Sequence, residues 1–365
     1  MMSLHLLPRR DVSRGLLGLL GTCLLGEPAA AVQQRSGPCH ADADRPPWAE
    51  FGINIAGPAL GAGTRGTYGK DYIYPDDNIL AYYRSKGFKT VRVTFLWERL
   101  QPKLFATLAT DELKRLQDLV NAVRKQDMVL ITGPHNYARY AVEDGKPQLI
   151  GSPAVPTAAF VDLWRRLSDV FAPLQDGLIF TLMNEPHDTG SSWPSIAQAA
   201  VDAIRERDRQ RWIYVPGDGW SSARSWDQHN KDLAISDRSD RLVYVAHQYF
   251  DASGQGSYKK NYDEDGAYPE IGVERLKPFL AWLRNRGFRG TVTEYGVPNN
   301  DPRWLIVLDN ALAALSEAKV GGAYWAGGPW WGDYPLSSEP RGGHDAPVMA
   351  VLNKYAARCS APQSD

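Results

Sequence analysis

Short β-type runs alternate with amphipathic helical stretches from position 51 onward, and this alternation constrains the fold more than any other feature of the chain. The strand candidates are 51–55, 90–95, 129–132, 178–182, 212–215, 242–246, 290–293 and 322–325, rich in Val, Ile, Phe, Tyr and Thr. Between them, 111–125, 157–171, 195–207, 273–286 and 303–318 repeat apolar residues at helical spacing, and Asp111 and Thr157 read as caps at helix starts. Strands separated by helices pair in parallel through crossovers, and a set of about eight closes a barrel. The pattern therefore predicts an α/β protein built as a single (β/α)8 TIM barrel. One connection, 220–240, is irregular and predicts a degenerate helix.

A chain of 365 residues could hold two average domains, but barrels routinely exceed about 250 residues as one. No long Ser/Thr/Pro or Gly/Ser linker marks an appended binding module, and no internal repeat points to a solenoid. The reading is one domain over 48–360, preceded by a short polar leader over 32–47. A hydrophobic share of 43% is enough for a large core. The net charge of −1 gives no reason to expect nucleic acid or an anionic membrane as a partner, and a monomer is expected. Twelve Trp and seventeen Tyr exceed what such a core needs. About half of the Trp residues read as core, and the rest, beside Gly and Pro in loops, offer flat faces suited to sugars.

The first 31 residues read as an export signal. Arg9 and Arg10 precede an apolar run over 15–25, too short to span a bilayer, and Ala29-Ala30-Ala31 supplies small residues for cleavage. The paired arginines fit a twin-arginine signal, while Glu27 is unusual there and Cys23 makes a poor lipoprotein-type site, so the route stays open. The expected location is secreted or periplasmic, with no membrane association after signal removal. Cleavage leaves Cys39 and Cys359 as candidates for one disulfide, because the first and last strands of a closed barrel are neighbours.

Polar residues gather at the C-terminal tips of the strand candidates, the rim where barrels keep their active sites. Glu185 follows Leu178-Ile179-Phe180-Thr181-Leu182, and Glu294 follows Thr291-Val292-Thr293, with the breakers Pro186 and Gly296 close behind. Two carboxylates facing one cleft are the minimum equipment for cleaving a glycosidic bond: one protonates the leaving oxygen, and the other attacks the anomeric carbon or activates water. The other tips carry Arg92, His135-Asn136-Tyr137, Asn184, His247-Gln248-Tyr249 and Trp325. Singly, each has a structural explanation, a buried Arg pairing with a carboxylate or a His hydrogen-bonded in a core. A complete polar rim has none, because the rim adds little to core burial.

Together these stretches resemble the endoglucanases of glycoside hydrolase family 5, from about Phe51 to Tyr355. The likeness rests on an ordered set: Phe51-Gly52-Ile53-Asn54, Phe95-Leu96-Trp97-Glu98-Arg99, Met183-Asn184-Glu185-Pro186, Val245-Ala246-His247-Gln248-Tyr249, Thr293-Glu294-Tyr295-Gly296 and Trp325-Ala326-Gly327-Gly328. The family's eight hallmark positions all find a match, in Arg92, His135, Asn184, Glu185, His247, Tyr249, Glu294 and Trp325. The resemblance implies retaining hydrolysis of a β-glucan with no cofactor and no metal. Glu185 would be the acid and base, its pKa raised in part by the neighbouring carboxylate. Glu294 would be the nucleophile, kept ionised by Arg92 and Tyr249. Asn184 would hold the 2-hydroxyl, His135 and His247 would set hydrogen bonds, and Trp325 would floor the subsite on the non-reducing side. The pair Trp330-Trp331 either extends that platform or packs the barrel mouth, and its Gly- and Pro-flanked loop favours the platform. The chain departs from the family after the first strand, where Pro58-Ala59-Leu60 stands in place of an acidic residue. The Gly- and Tyr-rich segment 61–74 either shapes distant subsites or is a solvated loop.

The expected activity is thus an endo-β-1,4-glucanase. Another β-glycan (mannan, xyloglucan or mixed-linkage glucan) or transglycosylation would use the same catalytic set. A non-catalytic carbohydrate-binding barrel should have lost a carboxylate.

Overall fold

A computed structural model of the protein describes residues 46–61, 65–142 and 145–356. Eight parallel strands close into a barrel: β1 (Phe51–Ile55), β2 (Thr90–Arg92), β3 (Val129–Thr132), β4 (Leu178–Thr181), β5 (Ile213–Pro216), β6 (Leu242–His247), β7 (Gly290–Tyr295) and β8 (Gly321–Gly327). Sequence neighbours pair around the ring, and β8 closes it against β1 with Phe51 opposite Gly322.

Side-chain alternation explains the layers. Leu130, Phe180, Ile213, Val215 and Tyr244 belong to the large core between strands and helices, whereas Ile131, Ile179, Tyr214, Val243 and Val245 form a separate cluster. Successive strand residues face opposite sides, so the second set fills the barrel interior. Trp48, Val129 and Trp212 pack against it from the N-terminal end.

The helices Thr110–Lys125, Thr157–Phe171, Trp193–Arg205, Ile271–Arg286 and Pro302–Glu317 lie within two residues of expectation. The two cap assignments are wrong. Ala109 caps the first helix with no side-chain bond, and Asp111 lies in its first turn, where a negative charge complements the helix dipole. Thr157 is already helical behind Pro156. Side-chain caps occur instead at Asp76, which accepts from the Ile79 amide at 2.9 Å, and at Asp301, followed by Pro302. The Asp76-capped helix Asp77–Ser85, the helix Met349–Ala356 and an antiparallel hairpin pairing Arg139–Ala141 with Pro147–Leu149 are additional to the sequence reading. The connection 220–240 is indeed degenerate, with a 3-10 turn Ala223–Ser225 and the one-turn helix Trp226–His229.

The segment after β1 is exposed over 65–71 and anchored where it ends, at the buried Tyr72 and Tyr74. Tyr72 and Tyr74 donate to the buried Glu112 carboxylate at 2.8 and 2.9 Å. Arg99 donates to the carbonyls of Pro58 and Leu60, each at 2.7 Å. Among the described residues no helix is long and apolar enough to cross a membrane. The expected export signal over 1–31, Cys39 and Cys359 lie outside the described residues.

Candidate active site

The C-terminal mouth of the barrel brings together all eight polar and aromatic positions singled out in the sequence. Glu294 lies within β7, and its register partner on β6 is His247, where the ladder shifts by a residue. Glu185 is carried beyond the end of β4 with a left-handed backbone, φ 43°. The segment leading to it is tied to both neighbours: the Leu182 amide donates to Tyr214 O at 3.0 Å and the Asn184 amide to Pro134 O at 2.8 Å. Gly133 permits this approach, because a Cβ there would sit 1.8 Å from Thr181 O. A left-handed non-glycine residue held on both sides is a backbone that the surrounding structure imposes.

The two carboxylates have contrasting surroundings. On Glu294, Oε1 accepts from Arg92 Nη1 at 2.7 Å and Oε2 from the Tyr249 hydroxyl at 3.1 Å. Arg92 is 1% exposed and uses Nη2 to hold Asn184 Oδ1 at 2.6 Å. Because Asn184 Oδ1 accepts, its Nδ2 donates to His135 Nε2 at 3.2 Å, which leaves His135 Nδ1 to donate to Thr94 Oγ1 at 2.9 Å. Burial, with Arg92 and His247 nearby, holds His135 well below the usual histidine range, so it stays neutral. One arginine therefore positions both the carboxylate and the amide beside it.

Glu185 Oε1 lies 2.7 Å from His247 Nδ1. Burial pushes the Glu185 carboxyl from 4.5 up to about 7, opposed by Arg92. Desolvation is thus the cause, in place of the neighbouring carboxylate invoked from sequence. Burial also lowers His247 to about 4, with Glu294 acting in the opposite sense and Arg92 reinforcing it. One oxygen of Glu185, one nitrogen of His247 and one oxygen of Glu294 all lie within 4.8 Å of each other. An oxygen–oxygen approach this close agrees with a retaining pair, whose carboxyl groups stand about 5–5.5 Å apart. The same three groups are close enough to share a cation, but the Arg92 guanidinium already provides the positive charge against Glu294.

Aromatic rings line the mouth. Trp325 donates from Nε1 to the Tyr334 hydroxyl at 3.1 Å, and Trp331 stacks on Tyr334 with ring centres 4.5 Å apart. Trp331 is half-buried in this platform, while Trp330 stands 49% exposed with φ 74°. Beyond Glu185, Trp220 is also 49% exposed and lies parallel on His187 at 3.5 Å, with Tyr137 at 5.7 Å. His187 Nδ1 lies 3.2 Å from the Glu185 carbonyl. Tyr137 follows His135 and Asn136 at a strand tip without being assigned a role from sequence, and His187 lies just past Pro186; Trp220 and Tyr334 sit in irregular loops with no periodic signal.

Residues 48–333 match the family described as Cellulase (glycosyl hydrolase family 5). The probable endo-beta-1,4-glucanase B of Neosartorya fischeri is 34% identical over 300 residues, covering 80% of this chain and 87% of that protein. Among solved structures, Pseudomonas stutzeri endoglucanase Cel5A in complex with cellobiose superimposes with a TM-score of 0.80 at 41% identity, covering 86% of this chain and 94% of that one. An endo-beta-1,4-glucanase from Xanthomonas axonopodis pv. citri gives a TM-score of 0.78 at 35% identity, covering 85% and 98%. The chain belongs to glycoside hydrolase family 5 and is a retaining glycoside hydrolase.

Proposed function

We propose that the protein is an exported endo-acting β-1,4-glucanase, working as a monomer with Glu185 as acid and base and Glu294 as nucleophile. The observation that carries this reading is the pair of adjacent carboxylates in opposite surroundings. Glu294 accepts at both oxygens, from Arg92 and Tyr249, while Glu185 is held up to about 7 by burial. In the first step Glu294 attacks the anomeric carbon as Glu185 gives its proton to the leaving oxygen, forming a glycosyl ester. In the second, Glu185 takes a proton from water, which opens the ester with the original configuration. Asn184, fixed by Arg92 and His135, holds the 2-hydroxyl. Trp325, Trp331 and Tyr334 stack the sugar on the non-reducing side, Trp330 extends that platform, and Trp220, beside the acid, receives the leaving side.

The names of the relatives support β-1,4-glucan as substrate, and the apolar run behind Arg9 and Arg10 supports export. The test is incubation of the mature protein with carboxymethylcellulose, glucomannan, xyloglucan and barley β-glucan, following viscosity against new reducing ends. A fast viscosity drop on carboxymethylcellulose with few new ends is expected. Preference for a mannan or a branched glucan would move the substrate assignment, and inactivity on all four would overturn the reading.

A further inference from the structure

Thr293 is the buried residue immediately before Glu294, 1% exposed, and the role of its side chain is not accounted for by the pairing of the two carboxylates. Among the described residues its hydroxyl meets one polar group, His247 Nε2, at 3.0 Å. We infer that Thr293 is a positioning residue that fixes the tautomer of His247 and so decides which oxygen of Glu185 carries the transferable proton. The inference rests on the proposed role of Glu185 as the acid.

A neutral imidazole carries its hydrogen on one nitrogen and accepts at the other. His247 is kept neutral by burial, with its pKa near 4. If Nε2 carried the hydrogen, Thr293 would have to accept it, and its own hydroxyl hydrogen would be left unpaired in a buried position, an unfavourable arrangement. If Thr293 donates to Nε2, every hydrogen is used, and Nδ1 carries the ring hydrogen.

The consequence falls on Glu185. An Nδ1–H group donates to Glu185 Oε1 across 2.7 Å, so Oε1 accepts and the carboxyl proton resides on Oε2, the oxygen not engaged by His247. In the opposite tautomer the Nδ1 lone pair would take a hydrogen bond from Oε1–H, turning the proton away from the glycosidic oxygen. Thr293 and His247 transfer no proton themselves. During the first step the Oε2–H bond breaks and the hydrogen goes to the leaving oxygen, while Oε1 keeps its bond from Nδ1–H. The other charged groups facing this ring are Glu294, whose Oε2 lies 3.7 Å from Nδ1, and Arg92 behind it, and neither reaches Nε2.

The experiment combines histidine-selective ¹⁵N NMR with aryl cellobioside kinetics on the wild-type protein, Thr293→Val and Thr293→Ser, with His247→Gln assigning the His247 signals. The wild type should show protonated Nδ1 and unprotonated Nε2 at His247, and Thr293→Val should lose that single pattern. Thr293→Val should lower kcat/KM by about 10–100-fold on phenyl cellobioside, as expected for loss of an orienting outer partner. On 2,4-dinitrophenyl cellobioside, whose leaving group needs no proton, the loss should be less than about 3-fold. Thr293→Ser should restore both readouts. A protonated Nε2 in the wild type overturns the inference without any variant. Equal losses on both substrates would also overturn it, because they would mark a packing role only. Failure of azide to rescue Glu185→Ala would remove the acid assignment while leaving the NMR result on the tautomer standing.

Discussion

The two ends of the barrel solve the problem of closing an open cylinder in opposite ways. At the N-terminal end Trp48 and Trp212 meet with ring centres 4.7 Å apart, under the apolar interior cluster of Ile131, Ile179, Tyr214, Val243 and Val245. The Arg289 guanidinium sits over both rings and pairs with Asp240 at 2.7 Å near the surface, where charge is cheaply solvated. At the C-terminal end the barrel is filled with Arg92, Glu294, His247 and Asn184, all buried, and residues such as Glu185, Trp220 and Trp330 adopt left-handed backbone. One end maximises apolar contact. The other holds charge in a low-dielectric site and keeps bulky rings exposed at the rim where barrel enzymes place their active sites.

Substitutions at the two ends should therefore separate activity from stability. The largest effect belongs to Glu294→Gln, expected to lower kcat by at least about 10³-fold, as loss of a nucleophile does. Its thermal melting and glucan binding should stay close to wild type, and near-normal turnover would remove Glu294 from its role.

Next is the pH response of Glu185. The acid must carry its proton, so kcat/KM should fall about tenfold per pH unit above its pKa of about 7. The same shift affects stability. Between 4.5 and about 7 the folded protein retains a proton that the unfolded chain has lost. This contribution is therefore complete below 4.5 and disappears as pH rises through about 7. Glu185→Gln, which cannot ionise, should melt higher than wild type at pH 8 and about equal to it at pH 4, as scanning calorimetry would read.

Trp220→Ala should weaken binding on the leaving side, raising KM for long cello-oligosaccharides by about 5–10-fold, the worth of roughly 1–1.4 kcal/mol of aromatic contact. Cellobiosides with small aryl leaving groups should respond less. At the other end, Trp212→Ala should lower unfolding free energy by about 1–3 kcal/mol in urea titration while kcat per folded molecule stays unchanged. A drop in kcat equal to that of a mouth substitution would erase the distinction between the ends.

The barrel was legible because eight strand runs and their intervening helices each carry many residues of one periodicity. The helix Asp77–Ser85 escaped notice because only Leu80 and Tyr83 are buried in it, too few to mark a face. At the site, Arg92, His135, Asn184, His247, Tyr249 and Glu294 were readable as polar residues on or just past short apolar strands. Trp220 was not, since its place depends on a left-handed turn at φ 62° in the irregular β5–β6 connection. Tyr334 was hidden for a related reason: it joins the platform through the stack on Trp331 and the bond from Trp325. The cause of the raised Glu185 pKa was also invisible, because sequence spacing reports which charges are near but not how much water the fold removes. The loop 61–74 left two readings open from sequence: residues 65–71 are exposed, while Tyr72 and Tyr74 are tied to Glu112.

The central claim, that Glu185 and Glu294 act as a retaining pair at the mouth, is tested most directly by azide rescue of Glu185→Ala on 2,4-dinitrophenyl cellobioside, with the product anomer assigned by ¹H NMR. The account predicts restored turnover and a β-cellobiosyl azide, formed when azide opens the ester on Glu294. An α-azide, from direct displacement in a single step, would contradict it.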